Sequence, residues 1–324
     1  MPPRKIAIIG LGKIARDAHA PAIRGNPAFE LVAGSSPRNP HLDGVRLFTD
    51  PRAMLDAMPD IEAVAICTPP EARHAIAREM LMAGRHVLLE KPPAASLSEF
   101  VDLKAIAERS GLVLFATWHS RFNLAVEEAR RALAGQSVRR LLVTWKEDVR
   151  RWHPGQAWIW KAGGFGVFDP GVNALSIVTQ IMPDPVFMKG ADLAFPEGAD
   201  APIAADLVLS SGREGEDLRA EFDWRQAGEQ IWDIRIETET GSVLLLSGGG
   251  ARLQIDGRLI ADEPPAEYPA IYERFATLLD EGRSEADEAP FRLVADAFML
   301  GRRSVVEAFT DQGAGEASQP QRRT

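Results

Sequence analysis

Hydrophobic runs alternate with segments of helical spacing through the first 120 or so residues of the chain. The apolar runs are residues 6–9, 31–33, 63–66, 87–89 and 113–115, and the helical segments between them include 71–83 and 98–110. Ser96 and Glu99 stand in capping-box spacing before the second of these helices. Strands that alternate with helices predict right-handed crossovers and a parallel sheet with both faces covered.

The pattern changes after about residue 121. A predicted helix at 123–134 is followed by runs with strand chemistry at 140–146, 202–210, 218–224, 232–238 and 243–247. Apolar and polar residues partly alternate in these runs, which is typical of an antiparallel sheet with one covered face. We predict a helix over 291–309 and a disordered polar tail over 311–324.

These patterns predict an α/β protein with two domains. We expect residues 1–121 to form a doubly wound parallel sheet. Residues 122–310 should form an α+β domain with a mainly antiparallel open sheet for substrate binding and oligomerisation, and its last helix could pack back on the first domain. An open sheet with an apolar face favours a homo-oligomer, either a dimer or a tetramer.

Composition narrows the classes of function. The net charge of -9 argues against a nucleic-acid partner, because phosphate binding needs a basic face. No apolar stretch approaches the ~20 residues that cross a bilayer, and the amino terminus shows no signal-peptide core. We therefore expect a cytoplasmic protein without a membrane partner. Cys67 is the only cysteine and the 6 histidines lack ligand spacing, so we predict no internal disulfide and no metal site.

A glycine turn, "GLGKIA" at residues 10–15, joins the first strand to the following helix. Gly10 permits the tight turn, and Gly12 lets the backbone approach a pyrophosphate. Ala15 stands where a third glycine usually gives close helix–strand packing. The start of the helix, with Lys13 and Ile14, supplies free N–H groups for the anion. This context predicts a dinucleotide site on a Rossmann domain, and the alternative is a plain glycine turn.

The end of the second strand indicates which dinucleotide binds. An acidic residue would hold the ribose 2′-hydroxyl of NAD, but this chain has Ser35, Ser36 and Arg38 there. Two hydroxyls and an arginine suit a 2′-phosphate, so the sequence favours NADP, and NAD could also be accepted. A solvated Arg38 is the alternative. The other residues predicted along the cofactor are Thr68, Pro69 and His74, the last of which could instead be a packing residue at a helix start.

The stretch "AGRHVLLEKP" ends an apolar strand in Glu90, Lys91 and Pro92, where ligands of open α/β sheets bind. Together with "IGLGKIA", "TPPEARH", "WHSRFN" and "GGFGVFDPGVNAL", it resembles the glucose–fructose oxidoreductase/inositol dehydrogenase family of nicotinamide-dependent dehydrogenases over roughly residues 5–180. The resemblance implies that Lys91 points toward the nicotinamide and the reacting carbon. It also implies that Glu90 and Pro92 fix the turn, so that Glu90 and Lys91 contribute to the cofactor site. From the residues alone, Lys91 could equally form a surface salt bridge.

The motif at residues 163–173 carries the second catalytic candidate. Much of the family has Asp-x-x-x-His here, with the histidine as the acid/base, whereas this chain has Asp169 and Asn173. An asparagine cannot carry a proton at neutral pH, so the proton-accepting role moves to Asp169. Asn173 lies four residues on, on the same helix face, and could orient a substrate hydroxyl. The alternative for Asp169 is a helix N-cap, since Asp-Pro is a common helix start.

An asparagine here, beside "KEDVRRWHPGQAWIW" and "TWHSRFN", resembles the bacterial aldose 1-dehydrogenases acting on L-arabinose or D-galactose. That resemblance implies oxidation of the C1 hemiacetal to a lactone with hydride transfer to the nicotinamide. Sugar hydroxyls need polar partners and the ring needs a flat apolar wall. The predicted substrate-binding residues are Lys91, His119, Glu147, Trp152, His153, Asp169, Asn173 and Trp232.

Other interpretations stay open at this point. A regulator that senses sugar or NADP on the same fold could retain these residues, and a dehydrogenase of another polyol or a diol would share them. Each aromatic residue, taken singly, is as often a core residue as a pocket wall. We assign Trp158 and Trp160 to the core, and Arg121 to a structural contact at the domain junction, as the resemblance implies.

Overall fold

The computed structural model describes residues 2–37, 41–264 and 266–310. The first sheet of this described part consists of β1 (Arg4–Ile9), β2 (Phe29–Ser35), β3 (Arg46–Phe48), β4 (Ala63–Ile66), β5 (His86–Leu89) and β6 (Leu114–Ala116). The strands lie in the order β3-β2-β1-β4-β5-β6, and every pair is parallel. This is the doubly wound order of dinucleotide-binding domains, so the predicted parallel sheet is confirmed. Strand β3 escaped the sequence prediction because its exposed residues form no apolar run.

Helices connect these strands. They are α1 (Ala20–Gly25), which follows a π-helical turn at Ala15–His19, then α2 (Pro51–Ala57), α3 (Pro70–Met82) and α4 (Leu97–Ser110). The last two match the predicted segments to within one residue at each end. The capping box of α4 is present as predicted, because Glu99 N donates to Ser96 Oγ and Ser96 N donates to the Glu99 carboxylate.

A second sheet of the described chain contains the remaining strands. They are β7 (Val138–Lys146), β8 (Phe187–Pro196), β9 (Ala204–Ser210), β10 (Asp217–Asp223), β11 (Ile231–Thr238), β12 (Val243–Ser247), β13 (Arg252–Ile255), β14 (Arg258–Asp262) and β15 (Gly301–Val306). Their order is β14-β13-β12-β11-β7-β10-β9-β8-β15. Most pairs are antiparallel, as predicted, but β7 with β10 and β8 with β15 are parallel.

Helices cover one face of this second sheet. The helices of this part are α5 (Leu124–Leu133), α6 (Val149–Trp152), α7 (Phe168–Ile181), α8 (Glu267–Glu281) and α9 (Ala289–Leu300), of which α5, α7 and α9 pack on the sheet. On the opposite face a cross-strand row contains Val208, Arg219, Leu142 and Arg235. That face is mixed rather than apolar, which corrects the expectation of an open apolar face. A homo-oligomer stays a prediction.

The predicted helix over 291–309 is wrong in its second half. Helix α9 ends at Leu300, and the chain continues directly into β15, which pairs with β8. At Gly301 a β-carbon would lie 2.5 Å from Ala297 O and 2.7 Å from Leu193 Cδ1. The glycine therefore lets the chain leave the helix against β8. Tertiary pairing overrides the local helical pattern here.

The two halves of the chain are joined by buried contacts. Helix α8 packs Ile271, Tyr272 and Phe275 into the core cluster that contains Ile6 and Ile8 of β1. A second junction is made by one largely buried arginine, as the resemblance implied. Arg121 donates to Ser176 O at 2.8 Å, to Thr179 Oγ1 at 2.8 Å and to Asp287 Oδ2 at 2.6 Å.

Several predictions concern limits of the fold. The domain boundary after residue 121 stays a prediction, and the predicted tail over 311–324 lies outside the described residues. Phe291 of helix α9 lies 6.5 Å from Phe100 of α4 between ring centroids, so these two helices are in contact. Among the described helices, none combines the length and apolar character needed to cross a bilayer. The cytoplasmic location stays a prediction.

Candidate active site

The glycine turn after β1 is shaped for close approach of a ligand. Gly10 has φ +91°, and a β-carbon there would lie 2.7 Å from Thr68 N, so only glycine fits between the ends of β1 and β4. A β-carbon on Gly12 would meet no atom within 4 Å, so its backbone faces open space. Pro69 directly precedes helix α3 at the same edge. Strand order reverses between β1 and β4, which is where doubly wound sheets bind dinucleotides.

The serine and threonine side chains predicted for the cofactor site leave polar atoms free. Ser35 and Thr68 are buried, and neither Ser35 Oγ nor Thr68 Oγ1 has a hydrogen-bond partner among the described residues. Unpartnered buried polar atoms are uncommon and call for a ligand or ordered water. Ser36 N donates to Phe48 O at 3.0 Å. Arg38 lies outside the described residues. The residues present fit a dinucleotide.

Three further cofactor candidates lie farther from these atoms. The Lys13 ammonium pairs with the Asp17 carboxylate one turn on, and Ile14 is 40% exposed, so both line the open start of the helix. His74 Nε2 lies 2.9 Å from Asp102 Oδ2 of α4. The structure thus engages His74 with a neighbouring helix, and its cofactor role stays a prediction.

The Glu90 carboxylate fixes the turn that follows β5. It is 3% exposed, and its Oε1 accepts from His19 Nε2 at 3.0 Å and from Tyr268 OH at 2.6 Å. Its Oε2 accepts from Lys91 N at 2.7 Å. Burial raises the pKa of Glu90, but the hydrogen bond and the charge of His19 outweigh it and hold this pKa well below the usual value. Glu90 is therefore an ionised carboxylate at the base of the turn.

Arg73 also fixes this turn, although the sequence analysis did not single it out. Its buried guanidinium donates to Glu90 O and Pro92 O, and to Thr68 O at the end of β4. It thereby ties the turn that carries Lys91 to the cofactor edge. A lone arginine in an amphipathic helix predicts an exposed side chain, which is why the pattern concealed it.

Lys91 and Asp169 meet at the centre of the site. Lys91 Nζ lies 3.2 Å from Asp169 Oδ1 and donates to Asp169 O at 2.9 Å. Their side chains are 15% and 6% exposed. Lys91 follows β5 of the first sheet, whereas Asp169 lies in the first turn of α7, so the two halves of the chain build the site together.

The segment before α7 is tightly constrained. Phe165 has φ +69°, which a buried residue other than glycine rarely adopts. A β-carbon on Gly164 would collide with Trp158 O, so the segment packs directly on the backbone of 157–160. Helix α7 has Val167 at its N-cap, which places Asp169 inside the first turn. The alternative interpretation of Asp169 as an N-cap is therefore wrong.

Two further predicted residues lie around Asp169. His153 Nε2 is 3.5 Å from Asp169 Oδ2. Asn173 is one turn along α7, and its buried Oδ1 has no hydrogen-bond partner among the residues that the structure describes. An amide oxygen without a partner can accept from a ligand hydroxyl. Lys91 and His153 thus contact one carboxylate, and Asn173 lies one helical turn from it.

Glu147 is held by two tryptophans. Its Oε1 accepts from Trp224 Nε1 at 3.1 Å and its Oε2 accepts from Trp232 Nε1 at 2.8 Å. Burial raises the pKa of Glu147, and the indole hydrogen bonds and the charges of His153 and Lys91 oppose this only partly. Trp224, which donates to Glu147, also lies 5.1 Å from the His153 imidazole between ring centroids, so Glu147 adjoins the same site.

An aromatic wall adjoins Glu147. The ring centroids of Trp152 and Trp232 are 5.5 Å apart in an edge-to-face arrangement, and Trp152 is 43% exposed. Trp152 Nε1 donates to Gln230 Oε1 at 3.3 Å. The fully buried Trp224 was missed by sequence reasoning, because it ends the alternating run 218–224 on the apolar side and so has the pattern of a core residue.

His119 belongs to a neighbouring network. Its Nδ1 lies 2.9 Å from Glu267 Oε2, and Glu267 Oε1 accepts from Asn123 Nδ2 at 2.9 Å. Burial lowers the pKa of His119, but the Glu267 carboxylate raises it above the usual value overall. The His119 ring stacks on Tyr268, with 5.9 Å between ring centroids, and Tyr268 donates to Glu90, so His119 lies beside the turn. Its substrate role stays a prediction.

The arrangement suits acid–base chemistry on a hydroxyl group. Asp169 can accept a proton, Lys91 and His153 carry N–H donors, and the aromatic wall offers an apolar face. Within the described ranges, no group of three or more histidine, cysteine, aspartate or glutamate side chains is arranged to hold a metal ion.

Comparison of the sequence with known proteins gives consistent matches. A family model described as an oxidoreductase family with an NAD-binding Rossmann fold matches residues 4–117. Galactose 1-dehydrogenase of Pseudomonas fluorescens is 43% identical over 317 residues, which cover 96% of this chain and 100% of that protein. D-glucoside 3-dehydrogenase of Escherichia coli K12 is 31% identical over 157 residues, 46% of this chain and 44% of that protein.

Solved structures agree with these matches. The crystal structure of a D-galactose-1-dehydrogenase protein from Rhizobium etli has a TM-score of 0.91 and 55% identity, covering 96% of this chain and 99% of that one. A 3-ketoreductase from Actinomadura kijaniata in complex with NADP has a TM-score of 0.78 at 17% identity, covering 94% and 99% of the two chains. The second likeness shows the fold alone.

Proposed function

The chain belongs to the glucose–fructose oxidoreductase/inositol dehydrogenase family of oxidoreductases with an NAD-binding Rossmann fold, and from this premise we propose that it is an aldose 1-dehydrogenase. It oxidises the C1 hemiacetal of D-galactose and L-arabinose to the lactone. Nearly full-length matches to two galactose 1-dehydrogenases, at 43% and 55% identity, support the sugar. L-arabinose is included because the two sugars have matching configuration around the ring.

One observation carries the proposal. Lys91 Nζ lies 3.2 Å from Asp169 Oδ1, and both side chains are largely buried at the edge where the parallel strands end. A buried lysine–carboxylate pair could be structural. Here, however, the imidazole of His153 also lies beside the Asp169 carboxylate, and Asn173, one helical turn on, has a buried and unpartnered Oδ1. Lys91 and Asp169 also come from different halves of the chain. Convergence of that kind is typical of a catalytic site.

Asp169, Lys91 and Asn173 have different roles in the oxidation of the C1 hydroxyl. Asp169 takes its proton on Oδ2, because Oδ1 faces Lys91. Lys91 uses one N–H on Asp169 O and has two more, one of which donates to the sugar oxygen. When bound, the nicotinamide supplies the acceptor for the hydride of the C1–H bond. Asn173 accepts from a neighbouring sugar hydroxyl and thereby orients the ring.

The rest of the site is proposed to recognise the sugar. Trp152 and Trp232 offer a wall for its apolar face, and Glu147, held by the indole N–H groups, has a carboxylate edge for its hydroxyls. A site built to hydrogen-bond hydroxyls rejects analogues that lack them, because its buried polar groups are then left unpaired. His119 is retained as a substrate residue on sequence grounds.

The preference for NADP is testable at Arg38. Ser35, Ser36 and Arg38 stand where an acidic residue would favour NAD, and a guanidinium pairs well with a 2′-phosphate. We expect Arg38→Ala to raise the KM for NADP about tenfold or more while the KM for NAD changes little. Steady-state assays with both cofactors at saturating D-galactose check this. Equal changes in both KM values would contradict the proposed contact with the 2′-phosphate.

A panel of sugars with both cofactors tests the proposed function itself. Reduction is followed by the near-ultraviolet absorbance of the reduced nicotinamide. We expect turnover with D-galactose and L-arabinose, and a much lower kcat/KM for sugars that differ at one ring hydroxyl. Cofactor binding without reduction by any aldose would favour a sensor. Turnover only with a non-sugar polyol or diol would move the proposal to that substrate.

A further inference from the structure

The last described residues of the chain lie against the segment that carries Trp152 and His153. After β15, the chain leaves the sheet and Phe309 packs on Trp160, with 4.9 Å between ring centroids. The Arg150 guanidinium lies over the same Phe309 ring at 4.7 Å, and Arg150 Nη2 donates to Thr310 O at 3.2 Å. Phe309 is therefore held between Arg150 and Trp160, two residues of the stretch 149–162, which we call the pocket segment.

That contact is anchored in the sheet. Strand β15 pairs with β8 as far as Val306 opposite Pro196, and Glu197 N donates to Val306 O at 3.0 Å. The end of β15 is thus fixed only three residues before Phe309. The position of the Phe309 ring follows from the sheet rather than from the pocket segment.

Trp160 connects Phe309 to the site through further ring contacts. Its ring lies 5.5 Å from that of Trp224, and Trp224 lies 5.1 Å from the imidazole of His153. Trp224 also donates to Glu147 Oε1, and His153 Nε2 is 3.5 Å from Asp169 Oδ2. A continuous series of packed rings therefore joins Phe309 to the residues around the catalytic carboxylate.

The pocket segment depends on such contacts, because it has little regular structure. Residues 149–162 contain only the one-turn α6 and the 3₁₀ turn Ala157–Trp160. Arg151 and Trp152 are exposed, and Arg150 is half-buried. Segments with few buried contacts open readily, so those contacts decide how well their side chains are placed.

We propose that Phe309 is a positioning residue for the sugar site. By holding Trp160 and Arg150, it fixes the segment that presents Trp152 and His153 to the substrate. The inference rests on the proposed function, and it assigns a role to a residue far along the chain from every catalytic candidate. The Phe309 ring contacts Trp160 and Arg150, which belong neither to the proposed substrate residues nor to the cofactor turn, so its main effect is on sugar binding.

The test compares Phe309→Ala with Phe309→Tyr, which keeps the ring, and with Val305→Ala, whose side chain is 77% exposed on β15. We expect Phe309→Ala to raise the KM for D-galactose about tenfold, since aromatic pairs of this kind contribute on that scale. The Kd for NADP should stay within about twofold, and kcat should fall less than the KM rises. Phe309→Tyr should restore the wild-type KM, and Val305→Ala should match wild type.

Two outcomes separate this inference from the proposed function. A wild-type protein that oxidises no aldose overturns the function. If wild type oxidises D-galactose and folded Phe309→Ala keeps its KM while only the Tm falls, the positioning role is overturned and the function stands. Should Phe309→Ala fold poorly, Phe309→Leu keeps the apolar volume without the ring, and a wild-type KM for that variant overturns the role equally.

Discussion

Asp169→Ala is expected to lower kcat/KM for D-galactose by at least ~10³-fold, because the C1 hydroxyl loses the carboxylate that takes its proton. Asp169→Asn should be nearly as inactive, since an amide keeps the shape but cannot accept a proton there. Both variants leave the glycine turn and the buried Glu90 untouched. The Kd for NADP, measured by fluorescence titration, should therefore stay within about twofold of wild type.

A matched control comes from the second sheet. Asp192 lies on β8, is exposed, and pairs with Arg302 of β15 rather than with any residue of the site, so Asp192→Asn should keep wild-type kinetics. Equal losses of NADP affinity and turnover in Asp169→Asn would indicate a structural role for Asp169. Full activity of that variant would remove Asp169 from the chemistry altogether.

Among the substitutions proposed here, Glu90→Gln should lower the free energy of unfolding the most. His19 is fully buried, and although burial lowers the pKa of its imidazole, Cys67, Tyr272 and Glu90 together raise it well above its usual value. Glu90 and His19 therefore form a buried ion pair. Removing one partner leaves an uncompensated charge, and we expect the free energy of unfolding to fall by about 3 kcal/mol in urea titrations.

The pH dependence of that loss identifies the ion pair. The depressed pKa of Glu90 gives stability that is present above the usual value of 4.5 and is lost as pH falls toward the folded pKa. The raised pKa of His19 gives stability that is present below 6.5 and is lost as pH rises through the folded pKa. The difference between wild type and Glu90→Gln should thus be largest between these values. Glu79→Gln, at a half-buried position of α3 whose side chain lies 3.9 Å from Arg52, is the control. A difference that does not vary with pH would contradict the ion pair.

The central residues of the site could be predicted from the sequence, but the residues that hold them in place could not. Lys91 follows an apolar strand, and Asp169 lies in a motif that resembles a known family, so each had a local signal. Arg73 and Trp224 had none, because an arginine in a helix has the pattern of a surface residue and a tryptophan on the apolar side of an alternating run has that of a core residue. The role of Arg73 comes from its hydrogen bond to Glu90, 17 positions away, and that of Trp224 from its hydrogen bond to Glu147, 77 positions away.

In the fold, too, elements set by local sequence patterns were predicted, whereas those set by distant contacts were not. The capping box of α4 and the parallel strands of the first sheet depend on short-range patterns and were predicted. Strand β15 was predicted as helix, because its conformation is set by pairing with β8 more than a hundred residues earlier. The parallel pairing of β7 with β10 could not be predicted for the same reason.

The most direct test of the central claim is the transfer of deuterium from C1-deuterated D-galactose to the dinucleotide. Measured in a single turnover by mass spectrometry, wild type should place the label on the reduced nicotinamide. Asp169→Asn, saturated with both ligands, should transfer it at least ~10³-fold more slowly. If the label stays in the sugar of wild type, or if Asp169→Asn transfers it at the wild-type rate, the convergence of Lys91 and Asp169 is not the catalytic site.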